Sequence, residues 1–247
     1  MIDMQNSSDN RGIALRWVGI SKYKHPIEIY GFSTIASTEF CVSLDKDRKA
    51  IHMSRLVEII EDNNIYTDEI IKLVVDTAMK RLNSMNCYIE LNFPLIIKKE
   101  SPLTKKLAGV SYDCSIRCES NKNSIRYIYG LKIPISTVCP CSKAISAHGA
   151  HNQRGYAKIE LISKHFLNLP SLINTIENTA SSELFSLLKR EDEKYVTEHA
   201  YDNAKFVEDV VRDIVISLQK LEELDDFNVC VENYESIHIH NAIAYFM

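Results

Sequence analysis

The feature that most constrains the fold is the grouping of strand-like segments into blocks that are separated by helical segments. Alternating apolar and polar residues, the pattern of half-buried strands, fill these blocks. In the first half the predicted strands are 13–20, 27–30, 39–44 and 85–97. Between them, helical spacing predicts helices over Met53 to Glu61 and Thr67 to Leu82, and Thr67 is the expected N-cap of the second helix.

The second half of the chain follows the same order of elements. Its predicted strands are 112–116, 124–135, 155–162, 228–235 and 237–245. Helical patterns cover 167–188 and 203–224, and the charged stretch 189–198 between them is a predicted loop. Strands grouped apart from helices favour antiparallel sheets with the helices on one face. The sequence therefore predicts an α+β fold with two modules of antiparallel sheet, each carrying a helix pair on one face.

The polar connection at 98–110 is the predicted boundary between the two modules. We expect a flexible tail at 1–11, a first module at 12–107 and a second module at 108–247. No detailed sequence repeat links the two halves, so the internal duplication is a prediction from the order of elements alone.

The composition excludes several classes of protein. The formal net charge of −4 lacks the basic surplus of a nonspecific nucleic-acid binder. No apolar run is long enough to cross a membrane, and the polar N-terminus lacks the apolar core of a signal peptide. We therefore expect a cytoplasmic protein with no nucleic-acid or membrane partner. In that compartment its seven cysteines are expected to be free thiols or metal ligands.

Cys139 and Cys141 follow the strand that is predicted to end near Thr137, because Pro140 cannot donate to a sheet ladder. A Cys-x-Cys pair alone is weak evidence for a metal site, and its chelate is too tight to assume that both sulfurs reach one ion. His151 comes twelve residues after Cys139. A thiolate and an imidazole close together are ligands that zinc prefers.

His238 and His240 lie two residues apart in a predicted strand, so both imidazoles are expected to face the same space. Either could bind a metal, and the other could contact substrate or a supporting residue. The alternative is a pair of surface histidines on a polar face.

The acidic candidates are Glu193 and Glu198 in the predicted loop and Glu208 on the following helix. The alternative is an ordinary solvated loop and an ordinary charge at a helix edge. The basic candidates for binding an anion are Lys143, Arg154, Lys189, Arg190 and, near a helix start, Arg55. Solubility charges are the alternative for each of these.

Several short motifs occur in a family-like order between His52 and the C-terminus. They are Ile51-His-Met-Ser-Arg55, Val138-Cys-Pro-Cys-Ser-Lys-Ala-Ile-Ser146, Gly149-Ala-His-Asn-Gln-Arg154, Leu188-Lys-Arg-Glu-Asp-Glu-Lys194, Val196-Thr-Glu198, Ala200-Tyr-Asp-Asn203, Phe206-Val-Glu-Asp-Val-Val-Arg-Asp213 and Glu235-Ser-Ile-His238. Together they resemble the type IB GTP cyclohydrolases. The resemblance implies the tunnelling fold with two modules per chain, and a homotetramer with active sites at subunit interfaces.

The resemblance also implies a reaction: GTP and water give 7,8-dihydroneopterin triphosphate and formate, the first step toward folate or related pteridines. The implied cofactor is a divalent metal, zinc or manganese, with iron as a further candidate. Matched to the family position by position, the metal ligands are Cys139, His151, Glu193 and His238. Glu208 matches the carboxylate that anchors guanine, and His240 matches a further histidine with a catalytic role.

The second module, 108–247, is therefore expected to carry most of the active site. Lys143, Arg154 and Arg55 are the residues predicted to bind the triphosphate. Two other functions stay open. One is another tunnelling-fold enzyme that acts on a pterin or a deazaguanine. The other is a structural zinc module in a binding protein, which would have four closed ligands and would unfold on chelation.

Overall fold

The computed structural model describes residues 5, 7–121 and 123–247, and these residues form two units. The first unit comprises the described residues up to Pro94 with Ser115–Ile128 and Lys164–Phe166. The second comprises Leu95–Cys114, Tyr129–Ser163 and Leu167–Met247. The division into modules at 12–107 and 108–247 stays a prediction.

A long antiparallel hairpin opens the first unit, formed by β1 (Leu15–Ile29) and β2 (Phe32–Leu44). Three strands were predicted here, which is wrong, because the first two are one strand. The ladder is irregular between Ile20 and Tyr23, and Lys22 between them has a φ of 58°. The break in the sequence pattern therefore marks a β-bulge inside a strand.

The rest of the first unit follows the predicted pattern closely. It contains α1 (Met53–Glu61), β3 (Ile65–Tyr66), α2 (Asp68–Leu82) and the start of β4 (Asn86–Glu100). The predicted bounds of α1 are confirmed, and so is the N-cap of α2, where the Thr67 side chain accepts the N–H of Ile70. The strand order begins β3-β1-β2-β4, with β3 parallel to β1 and the other pairs antiparallel.

Part of the predicted tail, residues 1–4 and 6, lies outside the described residues. Within the rest, the N–H of Asp9 donates to the carbonyl oxygen of Asp47 over 2.9 Å, and the N–H of Lys49 donates to that of Ser7 over 3.2 Å. Ser7 and Asp9 therefore contact the turn that follows β2.

The second unit contains most of the helices. Its elements, some shared at their ends with the first unit, are β5 (Leu107–Asn121), β6 (Ile125–Val138), α3 (Pro140–Ile145), β7 (Asn152–Ser163), α4 (Leu169–Glu177), α5 (Arg190–Asp202), α6 (Val207–Leu218), β8 (Leu224–Asn233) and β9 (Ala242–Phe246). The strand order is β4-β5-β6-β7-β8-β9. The apolar face of α6 is buried and the helix packs against β8 and β9, which holds its first turn beside the end of β8.

Two helical predictions in this unit were too long, and one loop was assigned wrongly. The pattern over 167–188 gives only α4, because the chain after Thr179 pairs with β6: the N–H of Ser181 donates to the Ser136 carbonyl oxygen over 3.1 Å. The helix predicted over 203–224 is confined to α6. The predicted loop 189–198 is instead part of the helix α5.

Buried Asp192 explains why α5 forms despite its polar sequence. Its Oδ1 accepts the main-chain N–H groups of Leu103 and Thr104, each over 2.9 Å. Its Oδ2 accepts the N–H of Lys189 over 3.0 Å, which caps the helix. In the described part of the chain, no helix is both long and apolar enough to cross a membrane.

Candidate active site

A cavity of about 290 Å³ in the second unit collects most of the chemically reactive side chains that the sequence singled out. It is lined by Cys139, His151, Gln153, Lys205, Phe206, Val207, Glu208, Asn233, Glu235, His238, His240 and Ala242. These residues come from the ends of β6 and β8, the starts of β7 and α6, and the bend before β9. Five predicted site residues, Cys139, His151, Glu208, His238 and His240, are thus brought together.

Cys139 is fixed at the junction of β6 and α3. It is the N-cap residue of α3, Pro140 is the first helical residue, and the Cys139 Sγ accepts the N–H of Ser142 over 3.4 Å. The Ser142 hydroxyl donates to the Cys139 carbonyl oxygen and accepts the N–H of His151, each over 3.1 Å. This clamp holds Cys139 and His151 side by side. Cys141 is exposed and is not among the residues that line the cavity.

His151 is held by an amide side chain that the sequence interpretation overlooked. Its Nδ1 lies 2.9 Å from the Oε1 of Gln153, and the Gln153 Nε2 donates to the Thr137 hydroxyl over 2.8 Å. Gln153 and Thr137 are both buried. A carboxylate oxygen of Glu235 lies 3.8 Å from the same Nδ1. The signal that could have identified Gln153 is its position two residues after His151 at the start of a strand, which places both on one face.

Glu208 occupies the first turn of α6, where a negative charge is favoured by the helix dipole. The turn is fixed by Asp209, whose Oδ2 accepts the N–H of Phe206 over 3.0 Å. The neighbouring cation Lys205 is already engaged, because its Nζ donates to the Thr179 carbonyl oxygen and to Asp213, each over 2.8 Å. The side chain of Glu208 is exposed and lines the cavity, so its carboxylate is available to a bound molecule.

The strand predicted at 237–245 is wrong in its first half, because β9 begins only at Ala242. His238 and His240 lie in the preceding bend, exposed, with their rings stacked at a centroid distance of 5.1 Å and an interplanar angle of 18°. Both still line the cavity.

The other predicted site residues lie elsewhere. Glu193 is exposed on α5 and does not line the cavity, and the Lys143 Nζ donates to the Tyr201 carbonyl oxygen. Arg154 lines a separate cavity of about 120 Å³, and Arg55, in the first unit, donates to the Arg81 carbonyl oxygen over 2.9 Å.

Within the described ranges, no three His, Cys, Asp or Glu side chains are close enough together to hold a metal ion.

Asn233 is a second residue that the sequence interpretation overlooked. Its side chain is buried at the end of β8, and its Oδ1 has no hydrogen-bond partner among the residues that the structure describes. An unpaired buried acceptor is costly, so a donor from water or from a bound molecule is favoured at this position. Its signal in the sequence was weak, since an asparagine near a strand end is ordinary.

An α+β fold with a thiol, imidazoles and carboxylates around one cavity is typical of an enzyme that acts on a small polar molecule. Residues 1–244 match the family model for type I GTP cyclohydrolase FolE2. GTP cyclohydrolase FolE2 of Fervidobacterium nodosum is 41% identical over 98% of this chain and 95% of its own length. That of Dictyoglomus thermophilum is 43% identical over 99% of this chain and 96% of its own. The chain therefore belongs to the type I GTP cyclohydrolase FolE2 family and is a GTP cyclohydrolase.

Among solved structures, uricase from Arthrobacter globiformis is similar with a TM-score of 0.55, covering 93% of this chain and 92% of that one. Only 5% of the aligned residues are identical, so this likeness shows the fold alone. The predicted α+β class and tunnelling fold are confirmed, and so is the predicted GTP cyclohydrolase activity.

Proposed function

We propose that this chain, as a type IB enzyme, converts GTP and water to 7,8-dihydroneopterin triphosphate and formate in the cavity around Cys139, as a first step toward folate. The observation that supports this most is the convergence of Cys139, His151, Glu208, His238 and His240 on one cavity. These residues come from segments about a hundred positions apart in a chain of a GTP cyclohydrolase family.

The proposed cofactor is a divalent metal, zinc or manganese, with iron as a further candidate. The donors around the cavity suit such an ion, because thiolate, imidazole and carboxylate are the ligands that borderline metals take. Cys139 and His151 would hold it. Because no three such side chains of the described residues lie close enough to share one ion, His238 and Glu193 would complete the set only in the proposed assembly. When bound, such an ion supplies a hydroxide at neutral pH by lowering the pKa of a coordinated water toward about 7.

Glu208 is the proposed anchor for guanine. A carboxylate can accept two N–H bonds side by side, and guanine offers such a pair at N1 and at its exocyclic amine. This contact would hold the purine with C8 directed at the reacting groups. Water attack at C8, ring opening and release of formate all require proton transfers, and His240 is the proposed proton carrier.

The proposed assembly is a homotetramer with active sites at subunit interfaces. Apolar side chains stand exposed around the cavity, with Ile237 at 63% and Ile239 at 107% relative exposure, and Tyr245 and Phe246 are exposed on the edge strand β9. A second copy would cover them. Glu193, Lys143, Arg154 and Arg55 do not line the cavity of their own chain, and in the proposed tetramer another subunit would supply them.

A cytoplasmic location is part of the proposal. All seven cysteines are described by the structure and none of them is in a disulfide. Free thiols are the normal state of cysteine in a reducing compartment.

The direct test is to incubate the protein with GTP and each candidate metal, and then to measure formate and the fluorescence of oxidised neopterin. Product is expected with zinc or manganese. Cys139→Ala should abolish it, whereas the matched Cys230→Ala, in β8 outside the cavity, should retain it. No product with zinc, manganese or iron contradicts the proposed activity. Full activity of Cys139→Ala contradicts the proposed site.

A further inference from the structure

The hydrogen-bond chain from Thr137 through Gln153 to His151 has a direction, and this direction fixes which ring nitrogen of His151 carries the proton. A glutamine amide donates through Nε2 and accepts through Oε1. Since the Gln153 Nε2 donates to Thr137, its Oε1 is left to face the Nδ1 of His151. An oxygen at 2.9 Å from a ring nitrogen requires a proton on that nitrogen. In the neutral ring of His151, this arrangement places the proton on Nδ1 and leaves the lone pair on Nε2.

Electrostatics favours the same assignment independently. The Glu235 carboxylate oxygen lies 3.8 Å from the Nδ1 of His151. A negative group on that side favours N–H over a lone pair at Nδ1. If the Gln153 amide were reversed, its N–H would face the His151 Nδ1. The proton of the neutral His151 ring would then lie on the ring Nε2, and the lone pair on Nδ1 would point toward the Glu235 carboxylate as well.

Burial keeps the chain of hydrogen bonds intact. Gln153 is 7% exposed and Thr137 is fully buried, so water does not compete for their polar atoms. The two residues come from β7 and β6, which are neighbours in the sheet. Gln153 and its partner Thr137 are therefore both held by neighbouring strands of the sheet.

We propose that Gln153 is a positioning residue that holds His151 in the Nδ1–H tautomer, so that the Nε2 lone pair is available to a metal ion in the cavity. The inference rests on the proposed metal site at Cys139 and His151. A histidine that binds a metal normally donates its other N–H to an oxygen, and loss of that oxygen typically weakens metal binding by about 10–100-fold.

The test is a cobalt titration of metal-free protein, followed through the thiolate-to-cobalt and d–d absorption bands. Gln153→Leu keeps the approximate size but removes both polar groups, and it should bind cobalt about 10–100-fold more weakly. Gln153→Glu restores an oxygen toward Nδ1, and the Thr137 hydroxyl can turn to donate to its second oxygen, so binding should stay near that of the wild type. The matched control is Thr38→Val, which removes a buried hydroxyl 2.8 Å from the Nε2 of another histidine, His25, in the first unit. It should leave cobalt binding unchanged.

Equal cobalt affinity and equal spectra in wild type and Gln153→Leu overturn the proposal. If Gln153→Leu does not fold, long-range ¹H–¹⁵N NMR of the metal-free wild type decides instead. In the neutral ring of His151, a proton on Nδ1 supports the proposal and a proton on Nε2 overturns it. Failure of this positioning role and failure of the proposed reaction give different results, because cobalt binding and product formation are measured separately. Wild-type protein that forms no product from GTP, while Gln153 still controls cobalt binding, refutes the reaction and leaves the positioning role standing.

Discussion

The main-chain N–H of Cys139 donates to the carbonyl oxygen of His151 over 3.1 Å. Two side chains twelve residues apart are thereby fixed at one cavity, and the Ser142 hydroxyl reinforces the link by bonding to the main chain of both. The segment 139–151 is therefore a closed loop whose two ends carry a thiol and an imidazole.

Ser142→Ala should loosen this loop. It removes two hydrogen bonds that hold the Cys139 and His151 main chains, each worth about 0.5–1.5 kcal/mol net. We expect the affinity for zinc to fall about 5–10-fold, the factor that corresponds to about 1–1.4 kcal/mol. Competition with a chromophoric chelator measures it. Ser146→Ala is the matched control, because the Ser146 hydroxyl accepts the nearby His148 N–H and the side chain is exposed. An equal loss of zinc affinity in both variants would show that the two Ser142 hydrogen bonds do not hold the metal-binding residues in place.

Glu208→Gln tests the guanine anchor. The amide keeps one acceptor and loses the charge, and a hydrogen bond to a charged group is worth about 1.5–3 kcal/mol. We expect kcat/KM for GTP to fall about 10–100-fold. The loss should be smaller for inosine triphosphate, which lacks the exocyclic amine that the carboxylate would bind. Glu222→Gln, an exposed carboxylate outside the cavity, is the control. An equal loss on both nucleotides would argue against recognition of that amine.

Gly155→Ala should destabilise the second unit. A Cβ at this position would lie 2.4 Å from the Glu232 carbonyl oxygen and 2.7 Å from the Asn233 Oδ1, so β7 and β8 would have to separate. Overpacking of this kind costs about 1–3 kcal/mol. Urea unfolding measures the loss. Gly109→Ala is the matched control, because its Cβ would meet only the Ile96 Cγ2, at 3.0 Å, and that methyl group can move. A smaller loss for Gly155→Ala than for Gly109→Ala would contradict the prediction.

Glu177 gives the free energy of unfolding a pH dependence of predictable sign. Burial raises the pKa of its carboxyl above the ordinary value, outweighing Lys99, whose ammonium lies 2.8 Å away and lowers the pKa. The folded state therefore holds this proton more tightly than the unfolded chain does. The contribution of Glu177 is most favourable below the unfolded pKa of about 4.3 and falls as pH rises through the folded pKa.

Glu177→Gln should flatten this dependence, because a neutral amide does not titrate and can still accept the Tyr112 hydroxyl. Urea unfolding between pH 4.5 and 7 would measure the slope, and Glu222→Gln again serves as the control. An unchanged slope in Glu177→Gln would show that another group is responsible.

Local signals in the sequence were enough for α1 and α2, where apolar spacing and the Thr67 cap act within a few residues. They failed for α5, whose first turn is fixed by hydrogen bonds from Leu103 and Thr104, nearly ninety positions away. The same limit applies to the site. Residue chemistry could nominate Cys139 and His151, but only the packing of α6 against β8 and β9 brings Glu208 beside them. Gln153 was passed over because an amide neither titrates nor commonly binds metal.

Chelation separates a catalytic metal from a structural one. A structural zinc module would use four closed ligands, and its removal would unfold the chain. The second unit has an apolar core of its own, including the buried face of α6. We expect a chelator to abolish product formation while the circular dichroism spectrum at 25 °C stays that of a folded protein. The melting temperature should fall, because the metal binds only the folded state and its removal takes away that stabilisation, but the chain should still be folded at 25 °C. Cys230→Ala treated in parallel should respond as the wild type does, and activity should return when metal is restored. A chain that unfolds on chelation would instead assign the metal a structural role.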